Sequence, residues 1–540
     1  MNLETPYRKI ISYPWHPYVF IAFVGTLVYG QTLFFDFSYY DDDFIILKNF
    51  DFLRELSNVT KAFQQPYFDY YYRPVVQVSF ILDAQIGKLS PLVYHASNIC
   101  FHLITSCFVF VFLSKLFLNH SFALIAALLY VVHPLAVQTV AWIPGRNDSL
   151  VTMFVLASCI FLMKYYEVRS NGILILHGVL FMLALFSKET ALMLPIVCLM
   201  YVLLIRGESI TAQANLPLVI CWGCVLFFYF MIKSFFVAGL KDSGQAMSMS
   251  VVAENVPALV ELLGKSIIPV HLSAYATLTT ISTVIGVVVI LLFMVFIKMT
   301  NRERRQYIAF GLSWFFIFMM PSLLVAIENV RHRFDYLENR AYLPLVGIMI
   351  ALSGFFLSRS EPRMKKVRGI GWIIIILFSW MTIVHSKNFS NAVSLWSHVI
   401  ETSPRSAEAH YYLGTLYEDS GNLDRAAACY LNAAQLDSTN TRYYNNLGVV
   451  YAQRGFFREA NEVLTKAITR EPRNHFAYYN LGSVYYLSGN FTAAESLWKK
   501  AVDLKPDLTD AYDKLITLYR EQHRLKEADE IRERMRQMEK

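Results

Sequence analysis

The chain has 540 residues, of which 55% are hydrophobic and 16% are charged, and its mean hydropathy is +0.39. This balance excludes an ordinary soluble domain and indicates a polytopic membrane protein. The net charge of +7 lies mainly in short links between apolar runs, and no basic cluster is interleaved with aromatic residues. The charge therefore predicts membrane topology and does not indicate a nucleic-acid-binding protein.

The first apolar run, from Tyr18 to Phe35, is long enough to cross a bilayer and leads directly into an acidic segment that ends with Asp41, Asp42 and Asp43. No small-residue cleavage site precedes this segment, so we expect a retained span and not a removed signal peptide. Adjacent carboxylates cannot lie in hydrocarbon, where each charge costs about 3 kcal/mol. They belong either to a solvated loop that ends a helix or to a polar site.

Apolar runs of suitable length predict roughly eleven membrane spans. These runs lie near 17–35, 95–117, 121–139, 149–166, 172–186, 189–206, 214–237, 281–299, 306–327, 341–358 and 369–386. If the spans alternate, the positive-inside rule places one set of basic links in the cytoplasm: Arg8, Lys9, Lys115, Lys164, Arg169, Arg206 and the clusters at 302–305 and 363–368. The outer side then receives the loops 36–94, 140–148, 187–189, 239–280 and 328–340, and the tail after residue 386.

Most of the seven cysteines fall inside apolar runs. Cys221 and Cys224 have the spacing of a redox motif, but they lie in the middle of a span without a βαβ context. We therefore expect core thiols.

The C-terminal tail repeats itself every 34 residues, with Leu-Gly pairs at 413, 447 and 481 and a degenerate Leu-Ile pair at 515. Tyrosines follow at 417, 451, 485 and 519, and alanines at 426, 460, 494 and 528. This is the tetratricopeptide-repeat pattern, which predicts an α-solenoid that binds proteins. Half a unit precedes it, so we expect a transmembrane domain over 1–388 and a repeat domain over 389–540.

Polar motifs interrupt the apolar chain at several outer positions. His95, Asn98 and His102 share one helical face, which permits a metal site but favours hydrogen bonds within the bundle. The other motifs contain His133 and Gln138, Arg146 and Asp148, Lys188 and Glu189, and Glu338, Arg340 and Tyr342. Singly, each could form a structural ion pair, but the predicted topology brings all of them to one face.

That face combines a carboxylate cluster with at least four cations near the membrane. Such a set suits a reaction in which a carboxylate takes a proton from a hydroxyl while cations hold a departing lipid phosphate. A polyprenyl-phosphate sugar is a substrate of this kind, because its tail stays in the bilayer and its sugar reaches the outer side.

The ordered motifs resemble the transmembrane and tetratricopeptide-repeat-containing O-mannosyltransferase family and its prokaryotic relatives. These motifs are Tyr-Asp-Asp-Asp, Tyr-Arg-Pro, His-Pro-x-x-x-Gln, Gly-Arg-x-Asp, Lys-Glu, Glu-x-Arg-x-Tyr-Leu-Pro and Ser-Leu-Trp-Ser. The resemblance covers nearly the whole chain and implies an all-α fold, with a GT-C-type membrane bundle followed by the repeats.

The resemblance also implies roles for individual residues. A catalytic base falls on Asp41 or Asp42, and the donor phosphate is held by Lys188 and by one or more of the arginines at 73, 146 and 340. The remaining motif residues are site-forming: Asp43, His133, Asp148, Glu189, Glu338 and Tyr342. Two departures from the family pattern are Asp43 and Gln138, each where a glutamate is common. The short repeat array favours a prokaryotic member.

We therefore expect an inverting glycosyltransferase that moves a sugar from a polyprenyl phosphate to a protein or glycan hydroxyl on the exoplasmic side, without a bound metal. The lipid-linked sugar is the co-substrate, and the repeats recruit the acceptor or a partner protein. The location is the bacterial inner membrane with a periplasmic site, or the endoplasmic reticulum membrane in a eukaryote.

One alternative is a non-catalytic scaffold. A glycan ligase or polymerase is less favoured, because the outer loop 239–280 contains no arginine.

Overall fold

The computed structural model describes residues 14–67, 71–117, 119–209, 213–236, 249–275, 278–323, 337–356 and 361–538. The chain divides into two compact units, Met1–Leu395 and Trp396–Lys540. The described residues are helices and connecting segments without a β-sheet, and one isolated antiparallel bridge joins Tyr67 to Tyr71. The fold is therefore all-α, as the sequence predicts.

The first unit is a helical bundle. Its helices are α1 His16–Tyr29, α2 Pro74–Gly87, α3 Pro91–Phe117, α4 His120–Val131, α5 Val137–Ala141, α6 Arg146–Val168, α7 Asn171–Leu185, α8 Leu194–Met200, α9 Leu216–Phe236, α10 Met249–Lys265, α11 Thr280–Met299, α12 Arg302–Leu323, α13 Tyr342–Phe356 and α14 Glu361–Ser386. Shorter 3₁₀ and π turns lie at Gly30–Phe34, Asp43–Leu47, Pro134–Ala136, Ile143–Gly145, Glu189–Met193, Tyr201–Arg206, Gln213–Asn215, Glu338–Ala341 and Lys387–Phe389, and single α turns at Phe50–Leu53 and Asn58–Lys61.

Eight helical segments of the described chain are long and apolar enough to cross a membrane, against the eleven runs predicted from sequence. The pair α4 and Pro134–Ala141 makes a ninth if it is one broken span, bent by 51°. Pro134 explains the break, since proline lacks the N–H donor that continues a helix. Helix α7, at 15 residues, is shorter than the hydrocarbon core of a bilayer, which needs about 20 residues.

Two outer segments predicted as loops contain helices. Helix α2 lies within 36–94, and α10 lies within 239–280 with Pro257 inside it. The end of α10 packs closely on α11, because a Cβ atom added to Gly264 would lie 2.7 Å from the backbone nitrogen of Gly286. Segment 239–280 is thus a packed part of the bundle over its described residues.

The second unit confirms the predicted tetratricopeptide repeats. After α15 Ala392–Thr402, which crosses the division between the units, four helix pairs follow: α16 Ala407–Asp419 with α17 Leu423–Leu436, α18 Thr441–Gln453 with α19 Phe457–Arg470, α20 His475–Leu487 with α21 Phe491–Leu504, and α22 Thr509–Glu521 with α23 Leu525–Met538. The first helices of the pairs start 34 residues apart. Three of the four turns use a glycine with φ near +80°, at Gly421, Gly455 and Gly489, a conformation that favours glycine.

Helices α12 and α13 approach each other through glycines. A Cβ atom on Gly347 would lie 2.4 Å from the carbonyl oxygen of Gly311 and 2.8 Å from the backbone nitrogen of Phe315. Backbone atoms cannot move aside as a flexible side chain can. Small residues therefore fix this close helix pair, as is common in membranes.

We expect Gly347→Ala to lower the stability of the bundle, because overpacking at such a contact costs about 1–3 kcal/mol. The measurement is the apparent melting temperature of the purified protein in detergent. Gly223→Ala is the matched control, since a Cβ atom there meets nothing within 4 Å. Equal melting temperatures for the two variants would contradict the close-contact explanation.

Candidate active site

The acidic loop that follows α1 buries one of its three carboxylates. Asp42 is 1% exposed, and its Oδ2 accepts hydrogen bonds from the backbone N–H (2.6 Å) and the hydroxyl (2.7 Å) of Ser38. Its Oδ1 is shielded from solvent and has no hydrogen-bond donor. The pKa of Asp42 is raised to about 7, mainly by burial; the Ser38 hydrogen bonds oppose the rise, and the charges of Asp41 and Asp43 contribute to it.

The other two acids of this loop are less buried. Asp41 is half-buried and has φ = 68°, a left-handed conformation that is uncommon for a residue other than glycine. Asp43 forms an ion pair with the exposed Lys48 at 3.0 Å. The three carboxylates, adjacent in sequence, therefore have three different environments.

An aromatic contact holds the acidic loop against Trp142, the residue that follows α5. The indole N–H of Trp142 donates to the carbonyl oxygen of Tyr40 at 2.7 Å, and the two rings stack with centroids 5.2 Å apart. The loop is also bound to the end of the membrane bundle, where the N–H of Asp36 donates to the carbonyl oxygen of Ser390 at 2.9 Å.

Arg73 and Glu189, which are 116 positions apart in the sequence, form an ion pair. The Nε and Nη2 atoms of Arg73 lie 3.1 and 2.9 Å from the same carboxylate oxygen of Glu189. The buried Tyr67 connects this pair electrostatically to the acidic loop: burial raises the pKa of Tyr67, while the charge of Arg73 lowers it and that of Asp41 raises it.

A second ion pair joins Lys188 to Asp148. The ammonium group of Lys188 lies 2.6 Å from Asp148 Oδ1, while Asp148 Oδ2 accepts from the side-chain amide of Asn339 at 2.8 Å. Burial lowers the pKa of Lys188, which Asp148 opposes, whereas the nearby positive charges of Arg73 and Arg340 lower it further. Three of the predicted phosphate-binding cations, at 73, 188 and 340, are therefore neighbours.

Arg146 was also predicted as a phosphate contact, but its surroundings favour a structural role. The side chain is fully buried, with Asp83 at 2.6 Å, and it donates to Asn98, Ser79 and the carbonyl oxygen of Tyr94. The ring of Phe80 lies 4.1 Å from its guanidinium carbon. Four partners and an aromatic ring leave little of this guanidinium for a ligand.

The site-forming candidate His133, together with Gln138 of the same motif, binds the segment that follows α10. An imidazole nitrogen of His133 lies 3.2 Å from the carbonyl oxygen of Ser266. The amide of Gln138 donates to the carbonyl oxygen of Ala274 at 2.9 Å and accepts from the N–H of Asn339 at 3.2 Å. The side chains of both residues therefore bind backbone groups of other segments of the protein.

Glu338 binds the same segment. Its Oε1 lies 2.9 Å from the ammonium of Lys265 and accepts from the N–H of Ser273 at 3.2 Å. Burial raises the pKa of Glu338, and Glu261 raises it further, while Lys265 and the Ser273 hydrogen bond oppose the rise. Lys265 also pairs with Glu261 at 3.3 Å, so one buried lysine lies between two buried carboxylates.

The last predicted site residue, Tyr342, lies deeper in the bundle. Its hydroxyl is 2.6 Å from Nδ1 of His102, whose Nε2 lies 2.9 Å from the carbonyl oxygen of Val131. The carbonyl requires a donor, so Nε2 carries the proton and Nδ1 accepts from the tyrosine. His102, which sequence spacing made a possible metal ligand, is engaged in this hydrogen-bond chain, and the described residues contain no cluster of three or more His, Cys, Asp or Glu side chains suited to a metal ion.

Sequence reasoning missed three residues of this network: Asp83, Lys265 and Asn339. Asp83 interrupts an apolar helix, and this was a usable signal, because an isolated charge there needs a partner. All three residues lie in segments interpreted as outer loops, where polar residues are expected, so none of them was selected.

Comparisons with known proteins agree with the two-part organisation. Residues 84–232 match the family described as dolichyl-phosphate-mannose-protein mannosyltransferase, and residues 414–455 and 445–508 match tetratricopeptide-repeat families. A protein O-mannosyl-transferase of Caenorhabditis elegans is 27% identical over 387 residues, covering 68% of this chain and 54% of that protein. The Homo sapiens protein O-mannosyl-transferase TMTC3 is 33% identical over 147 residues, covering 26% and 16%.

The chain thus spans about half the length of the Caenorhabditis elegans relative and a smaller part of the human one. Among solved structures, a crystal structure of MamA is 26% identical, with a TM-score of 0.26, covering 27% of this chain and 86% of that one.

Asp42 should make the stability of the protein depend on pH. Its pKa is raised from 3.8 to about 7, so the folded state binds this proton more tightly than the unfolded state does. The resulting stabilisation is fully present below about pH 4 and is lost as the pH rises through 7. We expect the apparent melting temperature to fall between pH 5 and pH 8, and to fall less in Asp42→Asn.

Asp51→Asn is the control for this measurement, because the Asp51 side chain lies in the same outer segment and is 88% exposed. It should keep the wild-type pH dependence. If Asp42→Asn loses as much stability between the two pH values as the wild type, the carboxyl does not titrate as we expect.

Proposed function

We propose that this chain, which combines a mannosyltransferase-family segment with tetratricopeptide repeats, is an inverting membrane glycosyltransferase of the GT-C type. It transfers a sugar from a polyprenyl-phosphate donor to a hydroxyl of a protein or glycan. The observation that carries the proposal is an acidic loop adjoining a cationic cluster. Tyr67 is influenced by the charges of both Asp41 and Arg73, and Lys188 by those of Arg73 and Arg340.

The charges of the cluster fit a phosphodiester donor. Arg73 and Lys188 each pair with a carboxylate, Glu189 and Asp148, and the positive charge of Arg340 acts on Lys188. A polyprenyl-phosphate sugar carries one negative charge, which these three cations would attract. When the sugar departs, the phosphate gains a second negative charge, and preorganised cations stabilise that charge best in a site of low dielectric constant.

The reaction we propose is a single displacement. The acceptor oxygen attacks the anomeric carbon of the sugar, its proton passes to a carboxylate, and the bond from that carbon to the phosphate oxygen breaks with its electron pair on the phosphate. The attack comes from the face opposite the leaving group, so the anomeric configuration inverts. Cations at 73, 188 and 340 hold the phosphate throughout.

Either Asp41 or Asp42 takes the proton. Asp41 is the more accessible of the two, whereas Asp42 has a pKa near neutrality and an oxygen without a donor. A carboxylate with a pKa near the working pH is an effective general base. Mutation of each residue separately distinguishes the two assignments.

We assign the repeats to recruitment of the acceptor protein or of a partner, since such repeats present extended surfaces for peptides. The site and the repeats face the exoplasmic side: the periplasm in a bacterium, or the lumen of the endoplasmic reticulum in a eukaryote. The positive-inside distribution of the basic links supports this orientation.

A second candidate is a non-catalytic scaffold that binds proteins through its repeats. The pairing of Arg73 with Glu189 and of Lys188 with Asp148 favours it, because ion pairs of this kind also serve a purely structural role in a membrane bundle.

Sugar transfer from a panel of synthetic polyprenyl-phosphate sugars to host extracts separates the two candidates. We expect transfer by the purified protein and a loss of about 10²–10⁴-fold in whichever of Asp41→Asn and Asp42→Asn removes the base. Asp51→Asn, an exposed acid of the same outer segment, should retain activity. If no donor of the panel supports sugar transfer, while the repeats capture a partner protein, the scaffold is favoured.

A further inference from the structure

Lys265, in the last turn of α10, is a buried cation to which the reaction above assigns no part. Its side chain is 1% exposed and lies between Glu261, at 3.3 Å, and Glu338, at 2.9 Å. Removing one member of a buried ion pair is costly, although the pair itself adds little net stability. An arrangement of this kind therefore serves better to fix a geometry than to stabilise the fold.

The geometry that Lys265 fixes is that of the turn Glu338–Ala341. Glu338 is bound at one carboxylate oxygen by both Lys265 and the N–H of Ser273. Gln138 binds the next residue of the turn, accepting from the N–H of Asn339 while it donates to the carbonyl oxygen of Ala274. Two successive residues of the turn are thus attached to the segment 265–274.

The same turn is connected to the cationic cluster. The side-chain amide of Asn339 donates to one oxygen of Asp148, whose other oxygen pairs with Lys188. Arg340, the next residue, is close enough for its charge to act on Lys188. A displacement of the turn would therefore move Arg340 directly and release one of the contacts that orient Asp148.

We propose that Lys265 is a positioning residue for the phosphate-binding cations. Lys265 fixes the turn Glu338–Ala341 through its ion pair with Glu338. The turn orients Lys188, because Asn339 binds Asp148 and Asp148 binds Lys188. The turn also carries Arg340. Lys265 does not touch the donor, since two carboxylates already surround its ammonium group. The inference rests on the proposed function for its catalytic consequence, but the positioning itself is measurable without catalysis.

The first readout is the reactivity of Lys188 in the purified full-length protein. A small amine-acylating reagent, the N-hydroxysuccinimide ester of acetic acid, labels accessible lysines, and mass spectrometry measures the extent at each one. Loss of a positioning contact should increase labelling of Lys188 several-fold in Lys265→Met, and Lys265→Arg should return it towards the wild-type value. Lys115, whose ion pair with Glu167 lies elsewhere, reports any global loosening in the same samples.

Lys265→Met leaves two buried carboxylates without their cation, and this can prevent folding. A second variant therefore tests the same contact with a smaller change. Glu338→Gln keeps the Glu261–Lys265 pair intact and retains an acceptor for Ser273, but it removes the charge that binds Lys265 to the turn. It should also increase labelling of Lys188. Lys115→Met, which removes an unrelated lysine ion pair, should not.

The second readout is the kinetics of sugar transfer. We expect Lys265→Met and Glu338→Gln to raise the donor KM about tenfold with a smaller change in kcat, because the effect is on phosphate binding. Unchanged Lys188 labelling in both variants would overturn the inference. Altered labelling, restored by Lys265→Arg, in a protein that transfers no sugar would confirm the positioning and reject the proposed enzyme.

Discussion

The carboxylate of Asp148 joins three parts of the chain that are far apart in sequence. One oxygen binds Lys188, and the other binds Asn339. In a membrane bundle an unpaired charge is costly, so each polar group needs a partner within the protein. The ion pair closes the hairpin of α6 and α7, and the amide contact brings the turn before α13 to the same place. Motifs separated by nearly two hundred residues are thereby held in one region.

The motif residues divide into those that hold the structure and those that adjoin the cationic cluster. Gln138 belongs to the first group, because its amide donates to Ala274 and accepts from Asn339 at the same time. An ionised glutamate could accept but not donate, so it would leave the Ala274 carbonyl without this partner. The absence of a carboxylate at 138 is therefore compatible with an intact site. Arg146 belongs to the same group through its buried contacts with Asp83 and its neighbours.

Local patterns of the sequence predicted much of the fold. A 34-residue period specifies the repeat helices, because each unit reuses the same contacts, and the proline at 134 marks the bent helix. The packed helix α10 was not predicted, because its 17 residues, with Pro257 and two glutamates inside, are too short and too polar for a membrane span. The sequence provided candidate site residues but not the partners of their side chains. Which acid pairs with Arg73 or Lys188 depends on how helices pack, and this is not encoded in the spacing of either motif.

The proximity of three cations in the cluster suggests why donor binding and catalysis would be coupled in the proposed reaction. Arg73 and Lys188 each pair with a carboxylate, and the positive charge of Arg340 acts on Lys188. In the proposed reaction these cations would attract the phosphodiester donor, and the phosphate formed by sugar departure would attract them more strongly. The interaction increases as the reaction proceeds, and this is the condition for a contact to lower a barrier instead of only tightening substrate binding. Fixing the cations in advance, through Asp148 and the turn at 338–341, avoids reorganising them during the step itself.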